Sequence, residues 1–154
     1  MRRILPALLI ALAAGAAACR PPAGPAPSTA PAPLETNRYT GPLVSSFQVE
    51  PAGDSVRFVL QLTNPTSAPV RLSYSSGMTH DFAVREGTRD VWRWSADRSF
   101  VQSLMAVSLG AGETRSYTEV WRPGPGLRGR RLTAVAWLTA TNHPIQQSTA
   151  FTLP

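Results

Sequence analysis

Residues 80–100, HDFAVREGTRDVWRWSADRSF, hold a His-Asp pair, four Arg and two Trp. A histidine beside a carboxylate is the pair that orients an imidazole for base catalysis. Histidines and carboxylates also make metal sites, and Arg interleaved with Trp suits phosphates and stacked bases. A charged hairpin with its Trp turned inward is the simpler alternative. His80 and Asp81 are neighbours, and on a strand neighbours point to opposite faces. They therefore form no dyad by themselves. The other histidine, His143, stands beside Pro144 in an expected turn, and no H-x-H spacing occurs. Polar turn residues account for these positions, and neither a catalytic residue nor a metal ligand is expected here.

The rest of the chain narrows the chemistry further. All 15 basic side chains are Arg. Without an amine there is no Schiff base, no Ser-Lys dyad and no P-loop phosphate site. No G-x-S-x-G elbow is present. Gly124-Pro125-Gly126-Leu127-Arg128-Gly129 matches G-x-G-x-x-G, but that fingerprint must open a helix after a strand. Here the β-forming run RLTAVAWLT follows, so the segment is expected to be a long hairpin connection. No enzyme, no cofactor and no small-molecule substrate are expected.

Net charge is +6 over 154 residues. From Pro42 onward, 11 Arg face 8 acidic residues, a net of +3. These charges are interspersed, and only Arg128, Arg130 and Arg131 cluster. A nucleic-acid binder concentrates its basic residues in a stripe. A solvated mixed surface is expected instead, with no nucleic-acid partner.

The N-terminus has a different logic. Arg2 and Arg3 precede an apolar run over residues 4–18, which ends in small residues before Cys19. This is the layout of a secretory signal, and at about 15 residues the run is short for a membrane span. Ala16-Ala17-Ala18-Cys19 resembles a bacterial lipobox, with Ala16 where Leu is usual. The same alanines would satisfy ordinary A-x-A cleavage, but that would leave the lone cysteine as a free thiol in an oxidising compartment. Lipidation at Cys19 is the favoured reading, and several acyl chains anchor durably where one is marginal. Residues 20–34 contain six Pro and no large apolar residue before Leu34, which is the composition of an extended tether. The expected organisation is a signal peptide over 1–18, a lipidated Cys19 and Pro-rich tether over 19–41, and a folded domain over 42–154. The protein is then exported and held at the cell envelope, in the outer membrane or the outer leaflet of the cytoplasmic membrane.

The folded part is dominated by alternation. Val56, Phe58, Leu60 and Leu62 share one face, with Arg57, Gln61 and Thr63 on the other, the period of a half-buried strand. Further strands are expected near 44–49, 70–74, 82–84, 91–94, 106–109, 114–121, 131–139 and 149–153, with turns about every 8–12 residues. One helical turn is conceivable over 99–105. The whole is an all-β fold, a β-sandwich of about eight strands. Phe82 and Val84 face one way on their strand, and Trp92 and Trp94 share a face opposite Arg93. Trp94 is assigned to the core. The strand near 131–139 carries Leu132, Ala134, Ala136 and Leu138 on one face and Val135 and Trp137 on the other. Both faces cannot enter one two-layer core, which leaves Trp137 open between core and surface.

The blocks Phe82-Ala83-Val84-Arg85, Val91-Trp92-Arg93-Trp94-Ser95, Phe100, Leu109-Gly110-Ala111-Gly112-Glu113, Trp121 and Leu132-Thr133-Ala134-Val135-Ala136-Trp137-Leu138 are similar to the BsuPI-type domain. That family takes its name from a bacterial intracellular proteinase inhibitor. The resemblance covers residues 44–153. It implies an immunoglobulin-like sandwich and a protein partner, a serine protease. The chain differs from its namesake in being fitted for export. The expected function is that of a membrane-anchored, non-enzymatic protein-binding sandwich acting as a proteinase inhibitor. The alternative is a structural or assembly module of the envelope without inhibitory activity. Loops on a rigid sandwich usually carry binding. The turn holding Arg98 and the glycine-rich loop holding Arg128 and Arg130 are therefore the expected partner-facing elements, since an exposed Arg suits a trypsin-like pocket.

Overall fold

The structure, a computed structural model, describes residues 39–154. The signal segment, Cys19 and the tether up to residue 38 lie outside the described residues. Nine strands follow in order: β1 (Val44–Ala52), β2 (Ser55–Thr63), β3 (Val70–Tyr74), β4 (His80–Glu86), β5 (Arg89–Arg93), β6 (Met105–Leu109), β7 (Thr114–Trp121), β8 (Arg131–Leu138) and β9 (Ile145–Thr152). They form a three-stranded sheet β1-β2-β7, a ribbon β3-β6 and a four-stranded sheet β5-β4-β8-β9, with antiparallel pairing throughout. This is the all-β sandwich that the alternation predicts.

Two hairpins turn on glycine. Gly53 and Gly87 take φ of +59° and +61° at the first position of two-residue turns, between Ala52↔Ser55 and Glu86↔Arg89. Two-residue turns of this kind match the twist of the flanking strands.

The alternating face of β2 is the centre of the core. Val56, Phe58 and Leu60, all 0 % exposed, pack with Phe82 and Val84 of β4, Trp121 of β7 and Leu132, Ala134 and Ala136 of β8. This cluster joins the three- and four-stranded sheets. A second cluster holds the ribbon: Leu62, Leu72, Tyr74, Leu109, Leu138, Ala140 and Ile145. Asn64, fully buried, fastens the turns on that side. Its amide donates to the carbonyls of Ala68, Leu109 and Gly110 at 2.8, 3.0 and 2.9 Å. Each buried polar atom of its amide thus has a partner, as burial demands.

The structure departs from the sequence reading in several places. His80 and Asp81 open β4 instead of sitting in a turn, because the ladder extends to His80↔Leu138 and Asp81↔Trp137. β9 begins at Ile145, well before residue 149, because β8 offers partners along its whole length. Residues 99–104 form neither a strand nor the helical turn. The glycine-rich loop is not a hairpin connection, since β7 and β8 belong to different sheets and the loop crosses between them. It contains a short 3₁₀ turn, Pro125–Leu127, and Pro suits the start of such a turn. Its far end is tied to the C-terminus, with Gly129 N–H donating to the Leu153 carbonyl (2.8 Å) and Leu153 N–H to that of Arg130 (3.2 Å). Tyr39, at the end of the segment assigned to the tether, bonds His143 Nδ1 through its hydroxyl at 2.8 Å.

Candidate protein-binding surface

The V-W-R-W-S block is built around Asp81. Its side chain is 2 % exposed. It accepts from Phe82 N–H (2.9 Å), Ser95 N–H (3.2 Å), the Ser95 hydroxyl (2.8 Å) and Arg93 Nε (2.8 Å). Alternation places Arg93 on the Asp81 side of the sheet and Trp92 and Trp94 on the other. Trp92 accordingly stacks on Phe58 (5.5 Å between centroids) and Trp121 (5.9 Å). Arg93 lies over Trp137 at 5.0 Å, with Arg85 beside it at 5.4 Å, and Trp137 Nε1 donates to Gln146 at 2.8 Å. This places Trp137 on the outer face of the four-stranded sheet, half-covered by two guanidinium groups. Such cation–π contacts are worth about 0.5–1 kcal/mol each at exposed sites.

His80 takes the inner face. Its ring lies against Trp94 (4.5 Å) and Tyr117 (4.8 Å), with Phe82 edge-on at 5.6 Å. Glu119 Oε1 is 3.6 Å from Nε2, beyond hydrogen-bond reach. Burial lowers the imidazole pKa below 6.5. Glu119 and Asp81 oppose that shift, while Arg98 adds to it. The folded protein thus holds this proton less tightly than the unfolded chain does. Stability from neutral His80 is complete above the unfolded value of 6.5 and declines as pH falls below it. The carboxylates contribute in a lower window. The Arg130 hydrogen bond depresses the Glu86 pKa, the Gly110 N–H depresses that of Glu113, and both start to lose stability only as pH falls below 4.5. The melting temperature is therefore expected to drop between about pH 7.5 and about pH 5.5, and less so in His80→Gln. Equal drops in both proteins would contradict this role for His80.

The expected partner-facing arginines do not converge. Arg98 lies flat on Trp94, 4.4 Å from the ring centroid, and its Nε donates to the Trp94 carbonyl at 3.1 Å. Trp94 is in turn fixed by its N–H to the Phe82 carbonyl (2.8 Å). Arg130 stands at the other end of β4, paired with Glu86 at 2.6 Å. Four residues of strand separate these levels, about 13 Å. Arg128 is exposed and lines a small cleft of about 120 Å³ with Gly53, Asp54, Pro125 and Leu153. Cys19 lies outside the described residues. Among the described residues, no three His, Cys, Asp or Glu side chains group closely enough to hold a metal ion.

Sequence reasoning offered one helical turn over 99–105 and gave the segment no functional role. Val101 and Leu104 are 73 % and 87 % exposed. The available signal was two apolar residues in a stretch with neither strand nor helix period.

A search of the curated proteins finds no match. Among solved structures, the chain aligns with β-glucosidase EmGH1 from Erythrobacter marinus at 16 % identity and a TM-score of 0.35, covering 71 % of this chain and 16 % of that one. A β-glucosidase from Listeria innocua in complex with glucose aligns at 12 % identity and a TM-score of 0.30, covering 71 % and 17 %. The chain thus spans about a sixth of each of these enzymes, and the likeness is too weak to bear on function. The family comparison is different in kind. It matches residues 43–143, from the start of β1 to the β8–β9 turn, and includes the Asp81-centred W-R-W-S joint and both core clusters apart from Leu153 and Ile145. The chain belongs to the BsuPI family, the intracellular proteinase inhibitors.

Proposed function

We propose that this protein is a membrane-anchored, non-enzymatic inhibitor that binds a proteinase through loops of a rigid β-sandwich. Membership of the inhibitor family over residues 43–143 carries the reading. The absence of Lys and of any serine-hydrolase elbow in the sequence supports binding over catalysis. Cys19, after a basic and apolar leader, supports a lipid anchor facing away from the cytoplasm. The target would then be an exported or envelope proteinase.

Two measurements test the two halves. Full-length protein purified in mild detergent is assayed against one protease of each mechanistic class, and saturable inhibition of at least one is expected. No inhibition anywhere in the panel would leave the envelope-assembly reading in its place. Detergent-phase partition of cell extracts tests the anchor. Wild-type protein is expected in the detergent phase with acyl mass on Cys19, and Cys19→Ala in the aqueous phase or unprocessed. Soluble wild-type protein with an unmodified N-terminus would refute anchoring.

A further inference from the structure

The chain must leave β5, in the four-stranded sheet, and reach β6, in the ribbon. It does so over residues 99–104, which take up neither strand nor helix. Both ends are fixed. The Phe100 ring packs on Trp94 at 5.6 Å, and the Val101 carbonyl accepts the Gly77 N–H at 2.8 Å. On the far side, Met105 enters the ladder opposite Tyr74. Between these anchors, no backbone hydrogen bond among the described residues uses Gln102, Ser103 or Leu104. The Gln102 side chain folds back to the Phe100 carbonyl at 3.3 Å. Val101 and Leu104 are the two most exposed large apolar side chains among the described residues.

A protease cleft pairs strand to strand with a segment whose N–H and C=O groups are open, while one side chain enters the primary specificity pocket. A segment already held at both ends loses less freedom on docking than a free one. We propose that residues 101–105 are the inhibitory segment, that Leu104 fills the primary pocket, and that the target proteinase has an apolar pocket. This rests on the inhibitor reading above. The arginines fit the role less well. Arg98 would have to leave Trp94, and Arg130 would have to leave Glu86. Leu104 has no such contacts to break.

The test uses full-length protein in detergent, with chymotrypsin as the apolar-pocket probe and trypsin as the acidic-pocket probe. The proteins are wild type, Leu104→Gly, Leu104→Arg and Arg98→Ala. Wild type is expected to inhibit chymotrypsin. Leu104→Gly should weaken this by about 30-fold or more, the scale of a central anchor residue. Leu104→Arg should transfer inhibition to trypsin, and Arg98→Ala should leave it unchanged. Unaltered melting of the Leu104 variants verifies that only the contact is lost. Inhibition of chymotrypsin that survives both Leu104 substitutions would overturn the segment assignment and leave the inhibitor reading standing. Inhibition of trypsin alone by wild type would overturn the apolar-pocket assignment. Failure of wild type against the entire protease panel would remove both readings.

Discussion

Phe58→Ala is expected to destabilise the domain by about 3–5 kcal/mol, the range for truncating a buried aromatic. Phe58 is fully buried on the middle strand of the β1-β2-β7 sheet. Its ring meets Phe47 of β1 at 6.3 Å, Phe82 of β4 at 6.0 Å and Trp92 of β5 at 5.5 Å. The substitution thus removes contacts across both layers at once. Collapse into the void is resisted because β2 is held in register on both edges, by β1 and by β7. The cost depends on how well a site can collapse, which places this one toward the upper end. Against a total stability of about 5–15 kcal/mol, much of the folded population is at stake. Urea unfolding followed by Trp fluorescence measures it, and a loss below about 1.5 kcal/mol would mean the two sheets do not meet at Phe58.

Asp81→Ala should cost about 3 kcal/mol, although it removes no apolar contact. The substitution strands Phe82 N–H and both polar groups of Ser95, which all bond Asp81. Arg93 suffers less, because its side chain is 41 % exposed and can turn to water. Asp81→Asn keeps an oxygen for the two backbone N–H groups but sets an amide against Arg93, so its cost should be intermediate. The same unfolding assay ranks the three proteins. If Asp81→Ala matched wild type, the turn after β5 would not depend on this carboxylate.

These two residues also show how legible the fold was. Phe58 belongs to a run whose alternation is complete over Val56, Phe58, Leu60 and Leu62, and all four are fully buried. Period alone places such residues, because the strand geometry dictates which side chains share a face. The same argument correctly set Trp92 and Trp94 against Arg93. Asp81 was not legible. Its importance comes from Ser95, 14 residues away, and from a sheet face that only the fold assembles. Ladder pairing likewise overrode weak local signals, as at Gln146, Gln147 and Ser148, which are strand because β8 lies alongside.

The candidate surface divides the same way. Exposed arginines were visible as residue types, but their contacts were not. Arg98 is engaged by the ring of Trp94, and Arg130 by Glu86. The stretch over 99–105 suggested one helical turn, which the structure lacks, because the chain there is held from outside, by Trp94 and Gly77. A polar or irregular stretch that carries exposed Val and Leu shows its meaning only when the anchors on either side are seen.

Inhibition by a rigid sandwich is the central claim, and a stoichiometric titration tests it most directly. A fixed amount of the protease most sensitive in the panel is mixed with increasing full-length protein, and residual activity on a small peptide substrate is followed together with the intactness of the inhibitor chain. The account predicts a linear fall to an end point at equimolar protein, with the chain recovered uncleaved. Undiminished activity, or a transient loss that recovers as the segment over 101–105 is cut, would contradict it.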